Sequence, residues 1–318
     1  MAEELIRVEN LKKYFKVPSG TNHAVDDVSF TISKGETLGV VGESGCGKST
    51  LGRTLIHLLE ATDGKVLLKG QDITHVKGKE LKHVREKMQI VFQDPYSSLN
   101  PRLRIENTVM EPLKMSGRFH SRAELKREAN RLMELVGIDE RLRTSYPHEL
   151  DGGRRQRVCI ARALALNPEF IVCDEPVSAL DVSIQAAVLN LLKELQREMG
   201  MAYMFVTHDL SVVRHISDNI CVMYLGQMVE KSPTKELFNN TLHPYTKALL
   251  SAIPSTDIHT PMKRIQLKGE ITSPINPKPG CRFASRCPYA KEECRQPQEL
   301  KEISQGHFVA CCRIKEIS

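Results

Sequence analysis

The octapeptide Gly42-Glu43-Ser44-Gly45-Cys46-Gly47-Lys48-Ser49 sits between an apolar run, Leu38 to Val41, and a segment of helical period that opens near Lys48. Glycines at these positions let backbone N–H groups curl around phosphate oxygens with no Cβ in the way. The helix N-terminus adds the positive end of its dipole. Lys48 brings a cation to the β and γ phosphates, the Ser49 hydroxyl is placed to ligate Mg²⁺, and Thr50 completes the stretch expected to contact nucleotide. Such a loop belongs at the carboxyl end of a strand in an open parallel sheet, so the chain is expected to be α/β.

The pattern on either side fits that expectation. Candidate core strands are Leu38 to Val41, Met88 to Phe92, Phe170 to Cys173, Tyr203 to Thr207 and Ile220 to Tyr224, each a nearly continuous apolar run, as strands covered on both faces should be. Ser121 with Glu124 predicts a capping box ahead of Leu125, Ala129, Leu132 and Val136, with Gly137 as the stop. Val188, Leu192, Leu195 and Met199 mark a second helix ended by Gly200. The largely helical stretch from about Asp94 to Ala165 interrupts the strand rhythm and reads as an inserted helical subdomain.

Carboxylates and other polar groups stand at the strand ends. Phe170-Ile171-Val172-Cys173-Asp174-Glu175 closes a buried strand with two acids, costly unless they meet a cation. Asp174 suits the Mg²⁺ shell, and Glu175 suits orienting or deprotonating an attacking water; a solvated acidic pair is the plainer alternative. Gln93 follows Ile90-Val91-Phe92 and can sense Mg²⁺ and water. His208 follows Met204-Phe205-Val206-Thr207 and can hydrogen-bond a γ-phosphate.

With 318 residues the chain can hold one large domain and an appendage. The net charge of +6 is explained as readily by solvated lysines as by an anionic ligand or a bilayer face. The N-terminus lacks the signal-peptide pattern, and no apolar run approaches the ~18 to 20 residues of a membrane helix. A cytosolic protein is expected, reaching a membrane only through partners.

Beyond Leu249 the composition changes. Pro254, Pro261, Pro274, Pro277 and Pro279 break up regular structure, and Cys281-x₅-Cys287-x₆-Cys294-x₁₆-Cys311 follows, with Cys312 adjacent. Clustered cysteines in a reducing compartment suggest metal rather than disulfides. The short C-x₂-C pairs usual for structural zinc are missing, and four cysteines can hold a [4Fe–4S] cluster without them. On spacing alone, zinc and iron–sulfur stand level, with plain buried thiols a third reading. Arg282, Arg286 and Arg295 are expected to balance thiolate charge. Domains of 1–250 and 251–318 are expected.

From Val8 to Met228 these motifs, in this order, resemble the ATP-binding subunits of ABC transporters. The resemblance implies a RecA-like nucleotide-binding domain with an antiparallel β subdomain and an inserted helical subdomain. It also implies ATP and Mg²⁺ as ligands, with Ser49, Gln93 and Asp174 around the metal. Tyr14 looks like the aromatic that stacks on adenine, although a strand-core aromatic is the alternative. Gln93 resembles the glutamine loop that faces membrane subunits, Ser178-Ala179-Leu180-Asp181 the D-loop, and His208 the switch histidine. His243-Pro244-Tyr245, Gly280-Cys281-Arg282-Phe283, Arg286-Cys287-Pro288 and Gly306 to Cys311 look like the tail of dipeptide and oligopeptide importer ATPases, as does Asp94 to Pro101. In that family the tail is associated with an iron–sulfur cluster, so the resemblance favours [4Fe–4S] over zinc, on Cys281, Cys287, Cys294 and Cys311 or Cys312, with Cys311 preferred.

The signature segment departs from the family pattern. Leu150-Asp151-Gly152-Gly153-Arg154 stands where the family reads Leu-Ser-Gly-Gly-Gln. Asp151 would present an acceptor-only anion to a γ-phosphate held by the opposite subunit. Two unit charges ~4 Å apart repel by roughly 4 kcal/mol at an effective dielectric near ~20. Arg154 or Arg155 can offset part of this, or Asp151 can cap the helix starting near Gly153.

This departure at Asp151 and Arg154 leads to the expectation of an asymmetric pair with a sister ATPase. Two membrane-spanning permease subunits, and indirectly an extracytoplasmic peptide-binding protein, complete the assembly, at the cytoplasmic face of the membrane. The expected function is ATP hydrolysis driving dipeptide or oligopeptide import. Alternatives are a nickel or other small-solute importer, and a nucleotide-binding subunit with little turnover. A soluble ATPase acting on nucleic acid or ribosomes should carry tandem cassettes or a long coiled-coil insertion, and neither is present, so no nucleic-acid partner is expected.

Overall fold

A computed structural model describes residues 3–253, 264–267, 269 and 273–317; Pro254 and Pro261 of the expected tail lie outside the described residues. Two compact units are formed. The first takes in Glu4–Ile32, Thr37–Thr74 and Phe205–Ser318; the second takes in Met1–Glu3, Ser33–Glu36 and His75–Met204.

The first unit contains two sheet layers. In one, the long strands Gly20–Ser33 and Glu4–Val17 lie side by side, followed by Asp63–Leu68 and Gln71–Asp72. Leu5, Ile6, Val8 and Leu11, with Val25, Val28, Phe30 and Ile32, are its buried apolar residues. The register shifts between Glu9 and Lys12, where Asn10 takes a positive φ of 48° and its side chain donates to Asp27 Oδ1 at 2.8 Å.

The other layer is built on Thr37–Val41, every residue of which is buried. It pairs in parallel with Asn219–Tyr224, which pairs antiparallel with Gln227–Pro233. The layer continues into the tail. His307–Val309 pairs antiparallel with Gln227–Pro233, and Lys301–Ser304 with His307–Val309. The proline-broken, irregular tail expected from the sequence thus carries a hairpin that extends the sheet. Further upstream, Asn22 bridges Ile275, and His23 N–H donates to Pro274 O at 3.0 Å.

The second unit pairs Met88–Val91 in parallel with Phe170–Asp174. Between these strands in sequence lie the helices Pro95–Ser98, Ile105–Ser116, Arg122–Leu135 and Gly152–Leu164, with two short 3₁₀ turns. Ser121 forms the capping box in both directions, accepting from Glu124 N–H at 3.1 Å while its own N–H donates to Glu124 Oε2 at 3.3 Å. Val182–Met199 buries Val188, Leu192 and Leu195 and stops at Gly200, φ 67°.

One buried acid joins tail to sheet. Glu230, fully buried, accepts from the backbone N–H groups of Leu242 at 2.8 Å and His243 at 3.1 Å, and lies 2.8 Å from His307 Nε2. Glu230→Ala would strand those donors in a dry interior, at a cost of about 3 kcal/mol or more. Thermal unfolding should show a midpoint lowered by several degrees, with Glu230→Gln losing less because it keeps an acceptor oxygen.

Candidate functional site

The phosphate-loop motif occupies the turn between the buried strand Thr37–Val41 and the helix Lys48–Leu55. Gly47 is the helix N-cap at φ 104°, and a Cβ there would stand 1.9 Å from Ala24 O; only glycine fits. Lys48 is 4% exposed, and its Nζ donates to Gly42 O at 2.8 Å and Glu43 O at 3.0 Å. The cation is therefore held by carbonyls of the loop it belongs to. Glu43 N–H donates to the Tyr245 hydroxyl at 2.9 Å. Gly42 and Cys46 are buried, Glu43, Ser49 and Thr50 half-buried, and Ser44 and Gly45 exposed. Burial pushes the Cys46 thiol up, against the pull of Lys48.

Tyr14 lies in the strand Glu4–Val17 of the same unit. Its ring stacks on His23, with centroids 4.0 Å apart and planes at 24°, and its hydroxyl donates to Asp26 Oδ1. Burial and then the bond to Asp26 raise the Tyr14 pKa. For Asp26, burial works to raise the carboxyl, but hydrogen bonds from Tyr14 and His23 and the Arg282 charge bring it below the ordinary range. His208 is exposed and directly follows the buried strand Ala202–Thr207.

A second group of expected site residues is gathered in the other unit. Asp174 ends Phe170–Asp174 fully buried. Glu175 has a positive φ of 48°, a conformation that costs a non-glycine residue energy and collects at functional sites. Its Oε2 accepts from Gln93 Nε2 at 2.9 Å. The chain then turns, with Ser178 N–H and Oγ both donating to Glu175 O, at 3.3 and 3.1 Å. Leu180 packs over Gly152, while a Cβ on Gly153 would stand 2.5 Å from Ile184 Cγ2. Ala179 and Asp181 are exposed beside Leu180, and Leu150 is buried ahead of Asp151. The signature segment and the D-loop segment therefore share one packed face.

Asp151 caps the helix Gly152–Leu164. Its Oδ1 accepts from Arg154 N–H at 2.8 Å, and its other oxygen lies 3.2 Å from Arg154 Nη1. The capping alternative is the one found, and Arg154 partly offsets the charge.

Cys281, Cys287, Cys294 and Cys311 line one pocket with Arg313 and His243 in its wall. Among the described residues no three His, Cys, Asp or Glu side chains converge tightly enough to hold a single metal ion. Burial pushes the Cys281 thiol up to about 12 and raises Cys287 and Cys311 as well. These thiols ionise at neutral pH only if a cation replaces the proton. Cys312 is exposed, with its N–H donating to Gln298 Oε1 at 2.8 Å and its side chain interacting with Cys294.

One expectation is corrected. Arg282, Arg286 and Arg295 are not the charge balance of the thiols. Arg282 bonds Asp26 and Leu225 O, Arg286 pairs with Glu43 at 2.7 and 3.1 Å, and Arg295 pairs with Glu292 at 3.4 Å. Arg313, which sequence reasoning passed over, is the cation in the pocket wall. Adjacency to cysteines in the chain was the misleading signal, since successive side chains need not share a direction.

Comparison with known proteins follows the same lines. Residues 25–178 match the family described as ABC transporter, and residues 229–294 match the oligopeptide/dipeptide transporter C-terminal region. The chain is 52% identical to the oligopeptide transport ATP-binding protein AppF of Bacillus subtilis, covering 97% of each. It is 51% identical to the oligopeptide transport ATP-binding protein OppF of Salmonella typhimurium, covering 95% of this chain and 91% of that one. Among solved structures it is similar to the dimeric ATP-binding cassette MJ0796 in a post-hydrolysis state bound to ADP and phosphate, with TM-score 0.67 and 31% identity. That match covers 72% of this chain and 99% of the cassette. No described helix is long and apolar enough to cross a membrane.

With Asp151 capping the helix, Asp151→Ala should cost about 1 kcal/mol of stability, while Asp151→Ser should hold it, because serine supplies an equivalent acceptor. Urea unfolding of the two variants against the parent distinguishes these outcomes.

Proposed function

The chain belongs to the ATP-binding family of ABC transporters and is an ATPase of that kind; from this premise we propose that it powers the import of dipeptides or oligopeptides across a cell membrane. The observation that carries the peptide reading is that the resemblance does not stop at the nucleotide-binding part. It continues through residues 229–294, in the C-terminal region of the oligopeptide/dipeptide transporters.

In this reading Tyr14 stacks on adenine and Gly42 to Thr50 cradle the phosphates, with Lys48 leaving its carbonyl partners for the β and γ oxygens. Ser49, Gln93 and Asp174 would hold the Mg²⁺ that offsets phosphate charge. Glu175, kept in orientation by the Gln93 amide, activates the attacking water, and His208 bonds the γ-phosphate. A sister ATPase supplies an ordinary signature to this composite site, while Asp151 makes the opposite site slow. Closure of the pair is relayed through the Gln93 region to two permease subunits at the cytoplasmic face. The peptide itself is handled by those subunits and an extracytoplasmic binding protein.

The tail would hold a [4Fe–4S] cluster through Cys281, Cys287, Cys294 and Cys311, as a structural or regulatory group with no part in phosphoryl transfer. What supports this is the shared pocket and its thiol chemistry. Iron should be found at about four atoms per chain with thiolate-to-iron absorbance; stoichiometric zinc without iron overturns the assignment.

In the assembled transporter, Glu175→Gln should abolish most steady-state ATP hydrolysis while ATP binding persists. Asp151→Ser should leave turnover intact or raise it. Equal loss on disabling the sister subunit's catalytic base would refute the asymmetric arrangement.

A further inference from the structure

Glu43 poses an electrostatic problem. It places a carboxylate in a loop whose purpose is to attract phosphate, and an uncompensated charge there would repel the ligand. The compensation comes from 243 residues away. Arg286, in the turn that carries Cys281 and Cys287, grips Glu43 with two bonds of 2.7 and 3.1 Å. The Arg286 side chain is 8% exposed, against 24% for Glu43, and its guanidinium lies 5.9 Å from the Tyr224 ring centroid, so the arginine end of the pair is largely out of water. Tyr245 holds the Glu43 backbone from the same side, and Phe283 of the tail packs edge-on against Tyr224.

Four residues earlier in the same turn, Arg282 reaches the other end of the site. It donates to Asp26 and to Leu225 O, and Asp26 is the acceptor for the Tyr14 hydroxyl. One cysteine-bearing turn therefore braces the phosphate end through Arg286 and the base end through Arg282.

We propose that Arg282 and Arg286 are positioning residues for ATP binding, supplied by the C-terminal extension: Arg286 neutralises and fixes Glu43, and Arg282 fixes Tyr14 through Asp26. The proposal rests on the reading that Gly42 to Thr50 and Tyr14 bind ATP. It assigns the tail a part in nucleotide affinity.

The test measures equilibrium binding of ATP and of inorganic tripolyphosphate, which has no base, to the full-length chain. Arg286→Gln should weaken both about tenfold or more, the scale of a charge-assisted hydrogen bond. Arg282→Gln should weaken ATP and leave tripolyphosphate unchanged. The double variant Glu43→Gln with Arg286→Gln should bind ATP more tightly than Arg286→Gln alone, because it removes the stranded carboxylate; a purely structural role for Arg286 gives no such rescue. Arg286→Lys should recover part of the affinity. Wild-type protein that binds no ATP sinks the parent reading. Wild-type binding matched by all variants, or lowered melting points with unchanged affinities, overturns this inference alone.

Discussion

Anion binding by backbone needs a turn that collects N–H groups at one point and cannot relax away from it. The loop from Gly42 to Ser49 meets that need by being anchored at both ends. The buried strand Thr37–Val41 fixes its entry, the helix from Lys48 fixes its exit, and Gly47 lies so close to Ala24 O that no side chain is admitted. The side chains around the loop serve the same end. Lys48 is stored on loop carbonyls rather than in solvent, so engaging a phosphate exchanges one set of charge-assisted bonds for another and avoids ordering a free lysine tail.

Much of this was legible in sequence because the information is local. Continuous apolar runs gave the strands around Thr37–Val41, Phe170–Asp174 and Ala202–Thr207 to within a residue or two, since burial on both faces leaves no room for polar interruption. Ser121 and Glu124 gave a helix start because both capping bonds span three residues. The antiparallel strands Glu4–Val17 and Gly20–Ser33 were harder to read. The first of them shifts register against Asp63–Leu68 between Glu9 and Lys12, and the family resemblance rather than periodicity pointed to this sheet.

What stayed hidden depends on distant partners. Nothing near Arg286 announces Glu43, and nothing near Arg282 announces Asp26; both arginines looked like counter-ions for their cysteine neighbours. The hairpin formed by Lys301–Ser304 and His307–Val309 was masked by the prolines before it, although Gly306 at φ 72° between two short strands is the kind of turn residue that marks one. Asp151 lay between these cases. Its local role as a cap could be weighed from sequence, and the geometry chose it.

The same hairpin bears on how such a chain tolerates shortening. Gln227–Pro233 has Asn219–Tyr224 on one flank and His307–Val309 on the other. A protein trimmed to its nucleotide-binding portion would bare one flank of that strand, leaving a row of unpaired backbone donors and acceptors able to recruit another copy's strand. Clumping of a cut-down version would then reflect an uncovered seam rather than a misfolded catalytic portion.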